Sequence, residues 1–186
     1  MDDFRVIEAP LSKDVVRSLT MGDRVKINGV IYSARDAAHK RLVELIERGE
    51  ELPFDLEGQV IYYVGPTPAK PNYVVGSAGP TTSGRMDPYA PLLIERGLRG
   101  MIGKGPRSEA VKQAMIKYGA VYFAAVGGAG ALIARSILSS EVIAYPELGP
   151  EAIRRMEVKD FPAIVAIDAF GNDLYLRGRE EYAIGA

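Results

Sequence analysis

The apolar positions of the chain change spacing several times, and the changes outline its elements. Leu11 to Leu19 has helical spacing, with Val15, Val16 and Leu19 in one stripe and Ser12 where an N-cap belongs. Two short runs, residues 24–27 and 30–32, flank Asn28-Gly29, a pair that predicts a hairpin with a type I′ turn. Helical spacing returns over 34–48, with Leu42, Leu45 and Ile46 on one face. Ser33 and Asp36 stand at capping-box spacing and Gly49 is the stop. Residues 60–64 are continuously apolar and predict a buried strand, which Gly65-Pro-Thr-Pro68 ends. Tyr73 to Val75 predicts a short strand before a Gly/Thr-rich loop. Asp87 as N-cap and Pro88 as first helical residue predict a helix ending at Gly97.

Beyond it, 100–103 predicts a short strand, 107–118 a helix with Val111, Ala114, Met115 and Tyr118 inward, and 120–126 a second buried strand. Gly127-Gly-Ala-Gly130 then leads to a short helix around Leu132 to Leu138. Residues 142–144, 164–167 and 174–176 predict strands, with Gly171-Asn172 in the last hairpin turn. Strands alternating with helices in the middle and antiparallel hairpins at both ends predict a layered, mixed α/β domain.

Composition narrows the function classes. In 186 residues there is no Cys and one His, with 23 basic against 24 acidic residues. A chain this balanced lacks the basic excess of a nucleic-acid binder. Without Cys it can form no disulfide, carry no thiol nucleophile and hold no iron–sulfur cluster through thiolates. His39 alone excludes a multi-histidine metal site. No apolar run reaches the roughly 18 residues of a membrane span, and Met1-Asp-Asp3 does not read as a secretory signal, so the expected compartment is the cytoplasm.

Three predicted strand-to-helix junctions carry a cation: Arg35, Arg85 and Lys104. Ligands of α/β sheets bind outside the carboxyl ends of strands, where helix N-termini offer unpaired N–H groups. Two guanidiniums and an ammonium there suit a small dianion. The loop from Gly76 to Arg85 has too little side chain to pack a core and reads equally as a ligand loop or an ordinary turn. Lys104, between Gly103 and Gly105, is equally ambiguous. Gly127-Gly-Ala-Gly130 resembles a dinucleotide loop but has Ile133 where the last small residue belongs, so close helix–strand packing is the better reading. His39, one turn after Arg35, reads as a surface or capping residue. Thr81 is the sharpest candidate for proton chemistry, yet a free threonine hydroxyl is far too weak an acid without a perturbing neighbour. The set has anion binders and a hydroxyl but no electrophile: half a site.

Ser33-Ala-Arg-Asp-Ala-Ala-His-Lys40, Gly79-Pro-Thr-Thr-Ser-Gly-Arg-Met-Asp87, Met101-Ile-Gly-Lys-Gly105, and the stretch from Ala144-Tyr-Pro-Glu-Leu-Gly149 through Asp160-Phe-Pro162 resemble the β subunit of class I, iron–sulfur-dependent fumarate hydratases. The same module forms the C-terminal domain of single-chain class I fumarases and the β subunit of L-tartrate dehydratase. The resemblance runs over about residues 15–178 and implies a swivelling β/β/α domain over 15–186, mixed sheets with flanking helices, after an arm at 1–14. It further implies a separate, cysteine-bearing α subunit holding a [4Fe-4S] cluster, an active site at the subunit interface, and an (αβ)2 assembly inactive without α. In that pattern Arg35, Arg85 and Lys104 bind the carboxylates of a C4-dicarboxylate, and Thr81 is the base that takes the C3 proton of malate. The expectation is a fumarate hydratase β subunit. The alternatives are an L-tartrate dehydratase β subunit and a non-catalytic anion-binding docking module.

Overall fold

The computed structural model describes residues 4–125 and 129–182, so Gly127 and Gly128 of the glycine-rich stretch lie outside the described residues. Within them the chain forms β1 (Arg5–Ala9), α1 (Lys13–Ser18), β2 (Arg24–Ser33), α2 (Asp36–Arg48) and β3 (Val60–Tyr62). A 3-10 turn (Ser83–Met86), α3 (Ala90–Glu95), β4 (Gly100–Gly103), α4 (Glu109–Tyr118), β5 (Val121–Ala124) and α5 (Gly130–Ala134) follow. The chain continues through β6 (Ile137–Ala144), a 3-10 segment (Pro146–Glu151), β7 (Ile153–Ile167) and α6 (Leu174–Tyr182).

Strands β2, β3, β4 and β5 are parallel neighbours in that order. The long β7 runs antiparallel to both β5 and β2, so the sheet closes on itself as a barrel. β1 adds parallel to the first half of β2, and β6 adds antiparallel to β7. Residues 5–9, within the stretch expected as an arm, are thus a strand of the sheet.

Two cores explain the continuously apolar strands. Val60 and Tyr62, Ile102, Val121 and Phe123, with Ile27, Phe161 and Val165, pack on one face. Ile61, Tyr63, Met101 and Tyr122 point to the other, where Leu42 of α2, Leu93 and Ile94 of α3, and Val111 and Met115 of α4 cover them. A strand buried on both faces has no polar side to show, which is why alternation is lost there. Each such side chain contributes about 1.5–3 kcal/mol. Two caps follow the sequence: Ser12 accepts from Val15 N, and Gly49 closes α2 with φ 68°. The helix expected from residue 107 starts at Glu109, because Ser108 caps it by accepting from Val111 N.

Several local expectations are corrected. Asn28-Gly29 is no hairpin turn but lies inside the continuous β2. Between Ile27 and Gly29 the register with β7 shifts, a bulge that Asn28 holds by accepting from Asp160 N at 2.7 Å. Gly29, with φ 94°, lies against β1, where a Cβ would meet Ala9 O at 2.3 Å. Tyr73–Val75 is not a strand: it leaves the turn at 71–72, with Tyr73 N bonded to Lys70 O, bends at Val74, and pairs with no strand among the described residues. The helix predicted from Asp87 starts later, at Ala90, because the preceding residues wind into the 3-10 turn and the Asp87 carboxylate is taken up by Arg107 and Ser108 N. The helix near Leu132 stops at Ala134, and Leu138 belongs to β6. Leu174–Leu176 opens a helix, because Asp173 caps it by accepting from Tyr175 N at 2.9 Å.

Candidate active site

The parallel strands place their carboxyl ends on one side of the barrel. β2 ends at Ser33, opposite Tyr62 of β3, and Ala34 N still bonds to Tyr62 O at 3.2 Å. The chain leaves the sheet at Arg35, the N-cap of α2, whose backbone is extended and whose side chain makes no cap. The expected Ser33–Asp36 capping box therefore does not form: Ser33 is still a strand residue, with its Oγ buried and without a hydrogen-bond partner among the described residues. Arg35 Nη2 lies 3.2 Å from Glu151 Oε1. Its Nη1 passes Gly65, 3.1 Å from where a Cβ would stand, so only a glycine leaves it full room.

Asp36, the first residue of α2, joins two of the predicted anion binders. Its Oδ2 accepts from Arg85 Nη2 at 2.6 Å, and its Oδ1 lies 3.8 Å from Arg35 Nε. The other two candidates meet through backbone. Thr81 N donates to Tyr63 O at 2.7 Å, Lys104 N to Thr81 O at 3.4 Å and Ser83 N to Lys104 O at 2.9 Å. The loop thus extends the ladder past the ends of β3 and β4. Gly103 permits this, since a Cβ there would stand 2.0 Å from Ser83 Oγ. Arg35 pairs with Arg85 through Asp36, and Thr81 pairs with Lys104 through main chain. All four lie at the carboxyl ends of β2, β3 and β4.

Beneath the loop is a buried polar layer that sequence reading missed. Arg107, its side chain fully buried, donates from Nε to Asp87 Oδ1 at 2.7 Å and lies over the Tyr63 and Tyr122 rings. Ser83 Oγ and Tyr122 OH are 2.8 Å apart, and Tyr122 OH donates to Gly105 O. Gly105 N donates to Tyr175 OH at 3.1 Å. Burial pushes the Tyr62 and Tyr122 phenols well above their usual range, so both remain neutral donors. This layer holds the backbone of Ser83 and Gly105 on either side of Thr82 and Lys104.

His39 is corrected from surface residue to core. It is fully buried, packs edge-on against Tyr63 with centroids 5.3 Å apart, and faces the Arg35 carbonyl with Nδ1 at 2.9 Å. Burial lowers its pKa to about 4, so the ring is neutral and Nδ1–H is the donor. The helix face was legible, but not what covers it.

Unsatisfied polar atoms concentrate at this junction. Ser33 Oγ, Arg35 Nε, Asp36 Oδ1 and His39 Nε2 are buried without a hydrogen-bond partner among the described residues. Each such atom costs about 1–3 kcal/mol. The described residues contain no cluster of three metal-ligating side chains and the chain has no cysteine, so these residues do not fit an iron–sulfur cluster.

Comparison with known proteins bears on the same segments. The family model described as Fumarase C-terminus matches residues 4–178. The chain belongs to this Fumarase C-terminus family. Over 168 residues it is 44% identical to "Fumarate hydratase class I, anaerobic" of Escherichia coli (strain K12), a match covering 88% of this chain and 31% of that protein. It is 43% identical to "Fumarate hydratase 2" of Leishmania major over 157 residues, 83% of this chain and 28% of that one. The chain thus spans less than a third of these two relatives. It also resembles "Putative L(+)-tartrate dehydratase subunit beta" of Methanocaldococcus jannaschii, 42% identical over 171 residues, 89% of this chain and 88% of that one. As a member of the Fumarase C-terminus family it has the mixed α/β fold with a closed sheet described above. Among the described residues no helix is long and apolar enough to cross a membrane.

Proposed function

We propose that this chain is the β component of a two-component hydro-lyase that adds water to fumarate to give (S)-malate, and reverses the reaction. In this reading a separate, cysteine-bearing α chain holds the [4Fe-4S] cluster, and two αβ units assemble in the cytoplasm. The domain is the swivelling β/β/α module, and it is inactive alone. The observation that carries the reading is the pairing of Arg35 and Arg85 through Asp36 beside the Thr81–Lys104 backbone ladder.

The roles follow from the chemistry of the side chains. A C4-dicarboxylate presents two carboxylates to Arg35, Arg85 and Lys104, and a guanidinium binds such a group with two parallel hydrogen bonds. Protonation at C3 gives malate, and its removal leaves negative charge that spreads into the adjacent carboxylate. Cations already in place stabilise that charge without reorganisation. Thr81 holds the proton exchanged at C3. Its hydroxyl has no hydrogen-bond partner among the described residues, and Lys104 is its backbone neighbour.

The test is anaerobic purification of the tagged chain from its own cells, followed by a fumarate hydration assay. Co-purification of a cysteine-rich, iron-bearing partner and formation of malate support the reading. A chain that purifies alone and stays inactive with an added cluster subunit overturns it in favour of an anion-binding docking module. The match across 88% of the tartrate dehydratase β relative favours a second reading, dehydration of L-tartrate to oxaloacetate by the same site. A substrate panel on the assembled enzyme separates the two.

A further inference from the structure

We propose that Asp36 is a positioning residue, whose carboxylate holds the Arg85 guanidinium in the orientation that receives one carboxylate of the substrate. The inference rests on the function proposed above.

Arg85 arrives on a four-residue 3-10 turn and its side chain is half exposed. A long side chain on such a turn has many rotamers, and fixing it costs up to about 2 kcal/mol of entropy. Among the described residues its one hydrogen bond is from Nη2 to Asp36 Oδ2, at 2.6 Å and across 49 residues of sequence. The remaining guanidinium N–H groups are left for a ligand. Asp36 is itself well anchored: it is the first residue of the 13-residue α2, where the helix dipole favours a carboxylate. Arg35 does not depend on it in the same way, because Glu151 already takes its Nη2 at 3.2 Å.

The carboxylate also solves a charge problem. Two guanidiniums brought to one strand end repel, and Asp36 lies between them, bonded to one and 3.8 Å from the other. The facing atoms, Asp36 Oδ1 and Arg35 Nε, are buried and make no hydrogen bond among the described residues. Asp36 thus binds Arg85 closely and Arg35 only by its charge. Two other roles make opposite predictions. If Asp36 only complements the α2 dipole, its loss lowers stability and leaves binding alone. If it competes with substrate for Arg85, its loss tightens binding.

The experiment compares wild type and Asp36→Asn in the assembled enzyme. The expected result is a KM for fumarate raised about fivefold, the upper range for a half-exposed charge pair, with kcat changed by less than about twofold. Calorimetric titration with succinate, a non-reacting dicarboxylate, is expected to show the same loss of affinity. In an Arg85→Ala background, Asp36→Asn is expected to change succinate affinity by less than about twofold. Asp36→Ser provides the same test should the asparagine variant not fold, and Asp36→Glu, which keeps the charge, is expected to lose less than either. Unchanged or tighter succinate binding by the variant overturns the proposal, as does full additivity with Arg85→Ala. Wild-type enzyme that neither hydrates fumarate nor binds succinate overturns the functional reading as well, and is told apart by the wild-type trace alone.

Discussion

The Nδ1–H of His39 donates to the carbonyl oxygen of Arg35 at 2.9 Å, one helical turn back, and so ties a buried ring to the residue that begins the site. Its ionisation is linked to folding. Burial lowers the folded pKa from 6.5 to about 4, so between those values the unfolded chain binds a proton that the folded chain refuses. The stabilising contribution is complete above pH 6.5 and is lost as pH falls toward 4, amounting to about 3 kcal/mol. Urea unfolding at a series of pH values should therefore show a steeper acid loss for wild type than for His39→Asn, which cannot titrate. Parallel pH profiles contradict the linkage.

Arg107 and Asp87 form the ion pair beneath the loop, with the Arg107 side chain fully buried and Asp87 largely so. Replacing Arg107 with Met keeps volume but leaves the Asp87 charge facing a neutral neighbour. Breaking one side of a buried pair costs about 3–5 kcal/mol. The midpoint of denaturant unfolding should fall accordingly. An unchanged midpoint means that Ser108 N and solvent suffice for Asp87.

Arg85→Ala and Thr81→Ala remove groups from the partly exposed loop and should leave stability within about 0.5 kcal/mol of wild type. In the assembled enzyme each should lower turnover by about a hundredfold or more, the scale of losing an electrostatic or acid–base group. Near-normal turnover of either variant refutes its assignment.

Gly103 is where strand end and loop touch most closely. Gly103→Ala sets a methyl 2.0 Å from Ser83 Oγ and 3.0 Å from the Tyr63 ring, neither of which can move without disturbing the buried layer. The expected cost is about 1–3 kcal/mol. The loop carrying Thr81 and Arg85 should shift with it, so kcat of the assembled enzyme falls as well as stability. Loss of stability with intact kcat implies that the alanine is absorbed by side chains alone.

Features governed by nearest neighbours were legible in the sequence. Ser12 caps its helix, Gly49 ends α2, and the apolar runs expected at 60–64, 100–103 and 120–126 contain the strands at 60–62, 100–103 and 121–124. The cations Arg35 and Lys104 just past the ends of β2 and β4 were legible too, because a helix start after a strand is a local pattern, whereas Arg85 stands in a 3-10 turn and not after the strand expected at 73–75. Only the tertiary structure decided what each element meets. Asn28-Gly29 supplies a positive φ that serves a turn or a bulge equally well, and the presence of β1 and β7 on either side made it a bulge. Residues 174–176 alternate like a strand, but among the described residues no strand offers a ladder beyond the bridge at Asp173, whose carboxylate starts a helix instead. His39 was placed on the right helix face and wrongly exposed, since Tyr63 and Tyr89 reach it from distant parts of the chain. Asp36 looked like half of a cap until the loop folded back and brought Arg85 onto its carboxylate. Propensity and capping act over one turn of chain and can be read along it. Burial and ion pairing are set by distances in space, and folding alone fixes those.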